Sequence, residues 1–388
     1  MGQLSDTVGA YNVFPTAAIG TARTVALGGA TSAVDPDGYE AVFANPAGMS
    51  GMAGTGLDFG SDGNTVDNVV VNLNDPQAHA LDRPFKYSYG GVRYVTESGW
   101  GLGAAVQTPF NFNDEFRGNT QVIGGSNAFV ATGDQNAIRT KGTGYALGGG
   151  RSFDDGKFGV GASVSYITAE EDYSFTPVST SSAAFSRSVS GDTFTFGVGA
   201  LARPYRWLRV GLLYRRGYRI PFDDSHNAGL PVNITAFQDL RSPDRLSLGV
   251  RLAPYENLRF FLQGRVLFGM KDTFVSGSGV FPSAVDNTVA SGQTTTLDGA
   301  WGVEYVPYDV DDLTVKLRAG GYFESTGIEG GFTRYHNTAG FAFEPWFFSV
   351  SMAIDQAQFY NNFVVGFGVD LLNVAKRTSK MYGWNLPL

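Results

Sequence analysis

The chain has 388 residues, a formal charge of −8 and no cysteine. The missing thiols exclude disulfides, thiolate catalysis and zinc–thiolate sites, and the acidic balance argues against nucleic acid as a partner. Charged residues are only 16%, aromatic residues 14%, and glycine reaches 52 positions. That composition, with no run of the roughly 18 apolar residues a spanning helix needs, suits an all-β outer-membrane barrel. His79, His226 and His336 lie far apart in sequence, so no His-based metal site is expected. Met1–Asp6 lacks a basic segment followed by an apolar one, so either the protein is cytoplasmic or a signal peptide has been cleaved, and the composition favours the second.

Residues 1–54 do not alternate. Ala22–Ala30 is rich in small residues, Asp37 is a suitable N-cap for a short helix ending near Asn45, and Pro46 stops its propagation. A compact segment of this kind ahead of a barrel reads as a plug in the lumen; the other reading is a periplasmic tail.

From residue 55 onward the apolar positions recur every second residue. Phe158, Val160, Ala162, Val164 and Tyr166 share one face, as do Leu246, Leu248, Val250 and Leu252, and again Phe363, Val365, Phe367 and Val369. Period two at this length argues for strands against helices. About fourteen strands are expected, over 55–60, 86–95, 99–109, 142–153, 157–174, 193–203, 207–222, 243–253, 258–270, 298–307, 313–324, 334–344, 347–357 and 362–372. Short turns, such as 96–99, 154–156 and 203–206, alternate with long connections, such as 110–141, 223–242 and 271–297. Turns on one membrane face and loops on the other produce that alternation. The expected organisation is a plug over 1–54, a transmembrane antiparallel barrel over 55–372 and a periplasmic tail over 373–388, which carries Lys376, Arg377 and Lys380.

With that architecture in hand, Ala22–Gly48 resembles the plug signature of the FadL-type (FadL/TodX) outer-membrane transporters of long-chain fatty acids and other hydrophobic compounds. The matching element is the small-residue stretch, the acids Asp35 and Asp37, and then Asn45-Pro46-Ala47-Gly48. Ser98–Gly103 and Ser242–Arg245 add to the resemblance. It implies a fourteen-stranded barrel with an N-terminal hatch and passive, cofactor-free uptake. It also implies lateral exit near an inward kink of the third strand. A related secretion branch, the PorV-like proteins, carries a similar Asn-Pro-Ala region and implies the alternative: a barrel that holds another protein at the membrane through its loops or its C-terminal tail.

Uptake of a greasy anion needs apolar surface for the tail and cations for the head. Strand parity turns Arg209, Arg215, Arg219, Arg245, Arg251, Arg259, Arg265, Lys316 and Arg318 inward, against the acids Glu304, Glu324, Asp355 and Asp370. Arg215, Arg219, Arg259, Arg265 and Arg318 are the head-group candidates, because a guanidinium grips a carboxylate with two charge-assisted hydrogen bonds. The competing reading is that these arginines pair with lumenal or plug acids (Asp35, Asp37, Glu40) and hold the plug. Gly101, Gly103 and Pro109 are the candidates for a lateral gate, although the two glycines also suit plain small lumen-facing positions. Apolar loop residues, among them Phe110, Phe112, Phe274 and Phe281, could form a docking groove or pack loop on loop. No Gly-x-Ser-x-Gly elbow occurs, and adjacent Ser225-His226-Asn227 cannot form a catalytic relay. An enzyme is not expected. The expected partners are outer-membrane lipid and a hydrophobic small molecule. A water-filled porin ranks behind both other readings, since a plug would block conductance.

Overall fold

In the computed structural model of the chain, the structure describes residues 20–35, 38–50, 56–68, 86–109, 111–117, 120–122, 129–131, 135–176, 185–221, 239–269, 295–310, 313–325, 333–357 and 360–371. Two short helices come first, α1 (Ala22–Ala26) and α2 (Ala41–Ala44), with 3-10 turns at Gly38–Glu40 and Pro46–Ser50. Thr21 caps α1 by accepting from the Thr24 amide, and α2 stops at Asn45, ahead of Pro46. The strands follow: β1 (Gly56–Asn68), β2 (Lys86–Val95), β3 (Trp100–Gln107), β4 (Asn111–Arg117), β5 (Thr120–Val122), β6 (Phe129–Ala131), β7 (Gln135–Phe153), β8 (Phe158–Thr176), β9 (Phe185–Tyr205) and β10 (Leu208–Arg215). Then come β11 (Tyr218–Pro221), β12 (Asp239–Ser242), β13 (Arg245–Tyr255), β14 (Leu258–Leu267), β15 (Thr296–Val310), β16 (Leu313–Ser325), β17 (Thr333–Pro345), β18 (Phe348–Ala357) and β19 (Tyr360–Asp370).

Neighbouring wall strands pair antiparallel, and β1 pairs with β19. β3 and β4 lie end to end along one edge of β7, so together they count as one wall strand, and the β3–β7 pairing closes a fourteen-stranded barrel. The alternation seen in the sequence is the reason for closure. Leu102, Leu147, Val198, Leu248, Leu262, Leu317 and Phe341 point out of the barrel and are exposed. Trp100, Tyr205, Trp207, Tyr255, Tyr308 and Trp346 ring the short-turn end. An outward apolar band edged by aromatic residues is the surface a membrane requires of a barrel.

The expected spans correspond to the wall strands one for one, with two differences. β1, β7 and β9 run further toward the long loops than expected. The seventh strand, expected over 207–222, leaves the wall after Arg215. Its continuation, β11, pairs only with β12, as a separate hairpin.

Residues 20–50 lie inside the barrel, with α1 against β16–β19 and the Pro46–Ser50 turn against β7, β8 and β9. Inward-facing glycines let backbone meet backbone. A Cβ at Gly302 would sit 2.9 Å from Leu27, and at Gly101, Gly161, Gly199 and Gly211 it would run into Met49, Pro46, Asn45 and Ala33. Such a belt of missing side chains gives the plug its seat.

Candidate functional site

The plug motif is built into the wall by its own polar atoms. Asn45 is fully buried; its Nδ2 donates to Ala33 O at 2.8 Å and to Leu212 O of β10 at 3.2 Å, while its Oδ1 accepts from the Ala47 amide at 3.0 Å. The Gly48 amide closes the turn onto Asn45 O at 2.9 Å, and Gly48 O accepts from Arg93 Nη1 at 3.1 Å. Pro46 O fits against Gly150 and Gly161. Asn45, Pro46, Ala47 and Gly48 are thus a clip joining plug to wall.

Charge fixes the plug elsewhere. Asp35 bonds Arg209 of β10 and, at 2.7 Å, Arg23 of α1, with Arg251 of β13 at 4.0 Å. Burial pushes the Asp35 carboxyl up, but Arg209, Arg23 and Arg251 together hold it well below the usual carboxylate range. Glu304 of β15 takes Arg259 Nη1 at 2.7 Å and Arg318 Nε at 2.9 Å, with Arg23 at 3.8 Å. A third network, deep in β16–β18, sets His336 between Glu324 (3.0 Å) and Asp355 (2.8 Å), with Tyr322 stacked on the imidazole at 4.0 Å.

The five candidate arginines therefore separate. Arg259 and Arg318 are engaged by Glu304 and serve the plug-holding cluster. Arg219 belongs to β11, outside the wall strand from which its inward parity was taken, and is exposed. Arg215 and Arg265 do converge, and they enclose Arg245. Arg215 is the register partner of Arg245, and Arg265 sits one strand on, opposite Ser247. Arg245 experiences the positive fields of both. Arg215 donates to Phe43 O of the plug and lies over the Phe43 ring at 5.9 Å. Asp298 faces Arg265 across the strands. Among the described residues, none of the three arginines makes an ion pair.

Pro109 stands where the third wall strand is interrupted. β3 pairs with β7 up to Gln107 opposite Gly144, and the pairing resumes in β4 at Asn111 opposite Lys141. The Thr108 amide makes the last bond to the second strand among the described residues, donating to Ser88 O at 2.9 Å. Beyond it, β4 pairs with β7 alone among the described residues. Gly101 and Gly103 do not bend the strand: its ladder to β2 and β7 is continuous from Gly101 to Gln107. They make room for Met49 and Val42 of the plug.

Parity placed Arg245 inward without singling it out. The His336–Glu324–Asp355 network went unseen because parity gives the face of a residue, whereas contact across strands needs register. The loop phenylalanines (side chains included), Asp37, Ser225–Asn227 and the tail 373–388 lie outside the described residues and side chains.

The fold is similar to those of solved barrels described as a FadL homologue of Pseudomonas aeruginosa (13% identity, 90% of this chain and 98% of that one, TM-score 0.60) and the monoaromatic hydrocarbon channel CymD (11%, 91% and 97%, 0.57). The toluene transporter TodX of Pseudomonas putida is similar as well (14%, 87% and 95%, 0.53). No family model matches the sequence, and no curated protein matches it. The protein is a plugged β-barrel with the fold of outer-membrane hydrophobic-compound channels.

Proposed function

We propose that the protein is a passive outer-membrane uptake channel for hydrophobic molecules with an anionic head, long-chain fatty acids foremost. The break in the third wall strand at Thr108 and Pro109 carries this reading. A barrel whose bore is filled by a seated plug needs an exit through its side, and among the described residues the bonds between second and third wall strands run no further than Thr108–Ser88. Solved barrels of the same fold are described as channels for hydrocarbons, which supports a greasy cargo.

The arginines Arg215, Arg245 and Arg265 supply the head-group chemistry. Guanidinium groups brought together inside a barrel, with no ion pair among the described residues, favour an anion, and low dielectric strengthens that attraction. The ligand moves down its own gradient, gripped at the head by these arginines and released sideways past Pro109.

Oleate uptake by cells carrying the wild-type chain or Pro109→Val tests the exit. A residue able to donate to the ladder is expected to lower uptake by about tenfold, the rate equivalent of ~1.4 kcal/mol of barrier, with unchanged heat-modifiable gel migration. Unchanged uptake in that variant would discard the exit. No oleate retained by the gently extracted wild-type protein would discard the cargo.

A further inference from the structure

The barrel wall has a second interruption, away from the third strand. β10 ends at Arg215 and β13 begins at Arg245, and the chain between them steps out of the wall as the β11–β12 hairpin. Two backbone features force the step. A Cβ at Gly217 would collide with Ser242 and Pro243 of the returning chain, so the two segments cross where glycine leaves space. Pro243 has no amide to continue a ladder. Asp244 then staples the crossing: its Oδ1 accepts from the Gly217 amide at 2.6 Å and its Oδ2 from the Tyr214 hydroxyl at 2.8 Å.

The hairpin moves inward. Ile220 is fully buried, and Ile220 and Pro221 press on Gly191, at an inward-facing position of β9. Consequently the β9 edge from Phe185 to Thr195 has no wall partner among the described residues, while β14 across the gap ends at Leu267. Between these edges lies an open cleft of about 600 Å³, lined among others by Phe194, Arg216, Tyr218, Arg219, Asp244 and Phe268.

Its chemistry is amphiphilic. Phe194 and Phe268 are exposed on the membrane side, and Arg216 points outward over the Phe196 ring at 5.9 Å. The cleft's carboxylate, Asp244, has both oxygens engaged by the crossing. Tyr218 forms the inner side, next to Arg215 and Arg245. We infer that this cleft is a lateral entry port, through which a long-chain carboxylate dissolved in the outer leaflet passes head first from Arg216 and Arg219 to the lumenal arginines. The inference rests on the uptake reading and adds a route: cargo taken from the lipid phase beside the channel.

The absence of native cysteine makes single-thiol labelling clean. With the full chain in lipid nanodiscs, bimane on the Phe268→Cys variant should be quenched several-fold more by dibrominated oleate than by dibrominated phosphatidylcholine at equal mole fraction. Bimane on the Leu248→Cys variant, on the outer face of β13, should show no such preference. Adding Arg216→Gln with Arg219→Gln should remove it. Pyrene maleimide attached to the Phe268→Cys thiol should slow photo-crosslinking of diazirine oleate to the lumenal strands by about tenfold, with heat-modifiable migration confirming the barrel. Equal quenching by the two lipids, or crosslinking undiminished by pyrene, would overturn the port and leave the uptake reading standing. If unmodified protein gives no lumenal crosslink at all, the uptake reading fails first and the port with it.

Discussion

Two groups of arginines share the inner face of β10, β13, β14 and β16, and they live in opposite surroundings. Arg209 and Arg251 meet Asp35, and Arg259 and Arg318 meet Glu304. Arg215, Arg245 and Arg265 sit nearer the long loops and meet mainly one another, a plug carbonyl and the facing Asp298. An inward arginine is therefore not one kind of thing. Where an acid pairs with it, the guanidinium is part of the stopper's seat. Where no described residue forms an ion pair with it, the guanidinium is the group that the uptake proposal offers to the cargo, since desolvated charge without a partner is costly.

The largest effect should come from breaking the first group. Asp35→Ala leaves Arg209, Arg23 and Arg251 facing each other, and removing one partner of a buried ion pair costs ~3–5 kcal/mol. The wall keeps its ladder, so the loss falls on plug docking. Planar-bilayer recordings should change from silence to steady currents, and protease should cut residues 20–50 in an intact barrel. A smaller effect is expected from Gly161→Val, whose side chain collides with Pro46; forced overpacking costs ~1–3 kcal/mol. Occasional openings, rather than steady ones, should mark that variant.

The two groups should also separate stability from affinity. Arg318→Gln is expected to lower thermal stability and leave oleate affinity nearly unchanged. Arg245→Gln should leave stability unchanged or slightly higher, because it removes like-charge repulsion, and should weaken oleate binding by about tenfold, within the worth of one charge-assisted hydrogen bond. Equal behaviour of the two variants would erase the distinction.

How far the sequence reads depends on which physical rule governs each feature. The wall follows from side chains alternating between lipid and lumen, a rule of period two that any strand displays alone, so the fourteen strands were legible. The plug was legible because residues 1–54 break the alternation and Ala22–Gly48 carries the resemblance that ends in Asn45-Pro46-Ala47-Gly48, while the bonds of Asn45 to Ala33 and Leu212 needed the folded chain. The departure of the seventh strand was written in Gly217 and Pro243, but one breaker in each of two distant segments becomes a crossing only when they are paired. The Arg215–Arg245–Arg265 cluster was half legible for the same reason: parity turned all three inward, and register brought them together. Arg259 and Arg318 share that parity, and it was Glu304, opposite Arg259 and Arg318 on the flanking strands, that gave them another role.

The smallest expected effect concerns pH, and its sign is set by Asp35. A carboxyl held below its ordinary value contributes stability above the unfolded value of about 3.9, and loses it only as pH falls through the folded value. The Asp35 clamp is therefore fully engaged at neutral pH and stays so through mild acid. Protease cleavage of the plug, measured from pH 8 down to about 5 in a stable nanodisc, should be flat, since that window lies above the unfolded carboxylate range. A step in cleavage between about pH 6 and 7 would move the retaining charge from the Asp35 group to another that holds the plug, with Asp62, which accepts from the Ala22 amide and the Tyr39 hydroxyl at 2.8 Å each, the first to examine. That result would leave the unpaired arginines their role and take from Asp35 its place as the hub of the seat.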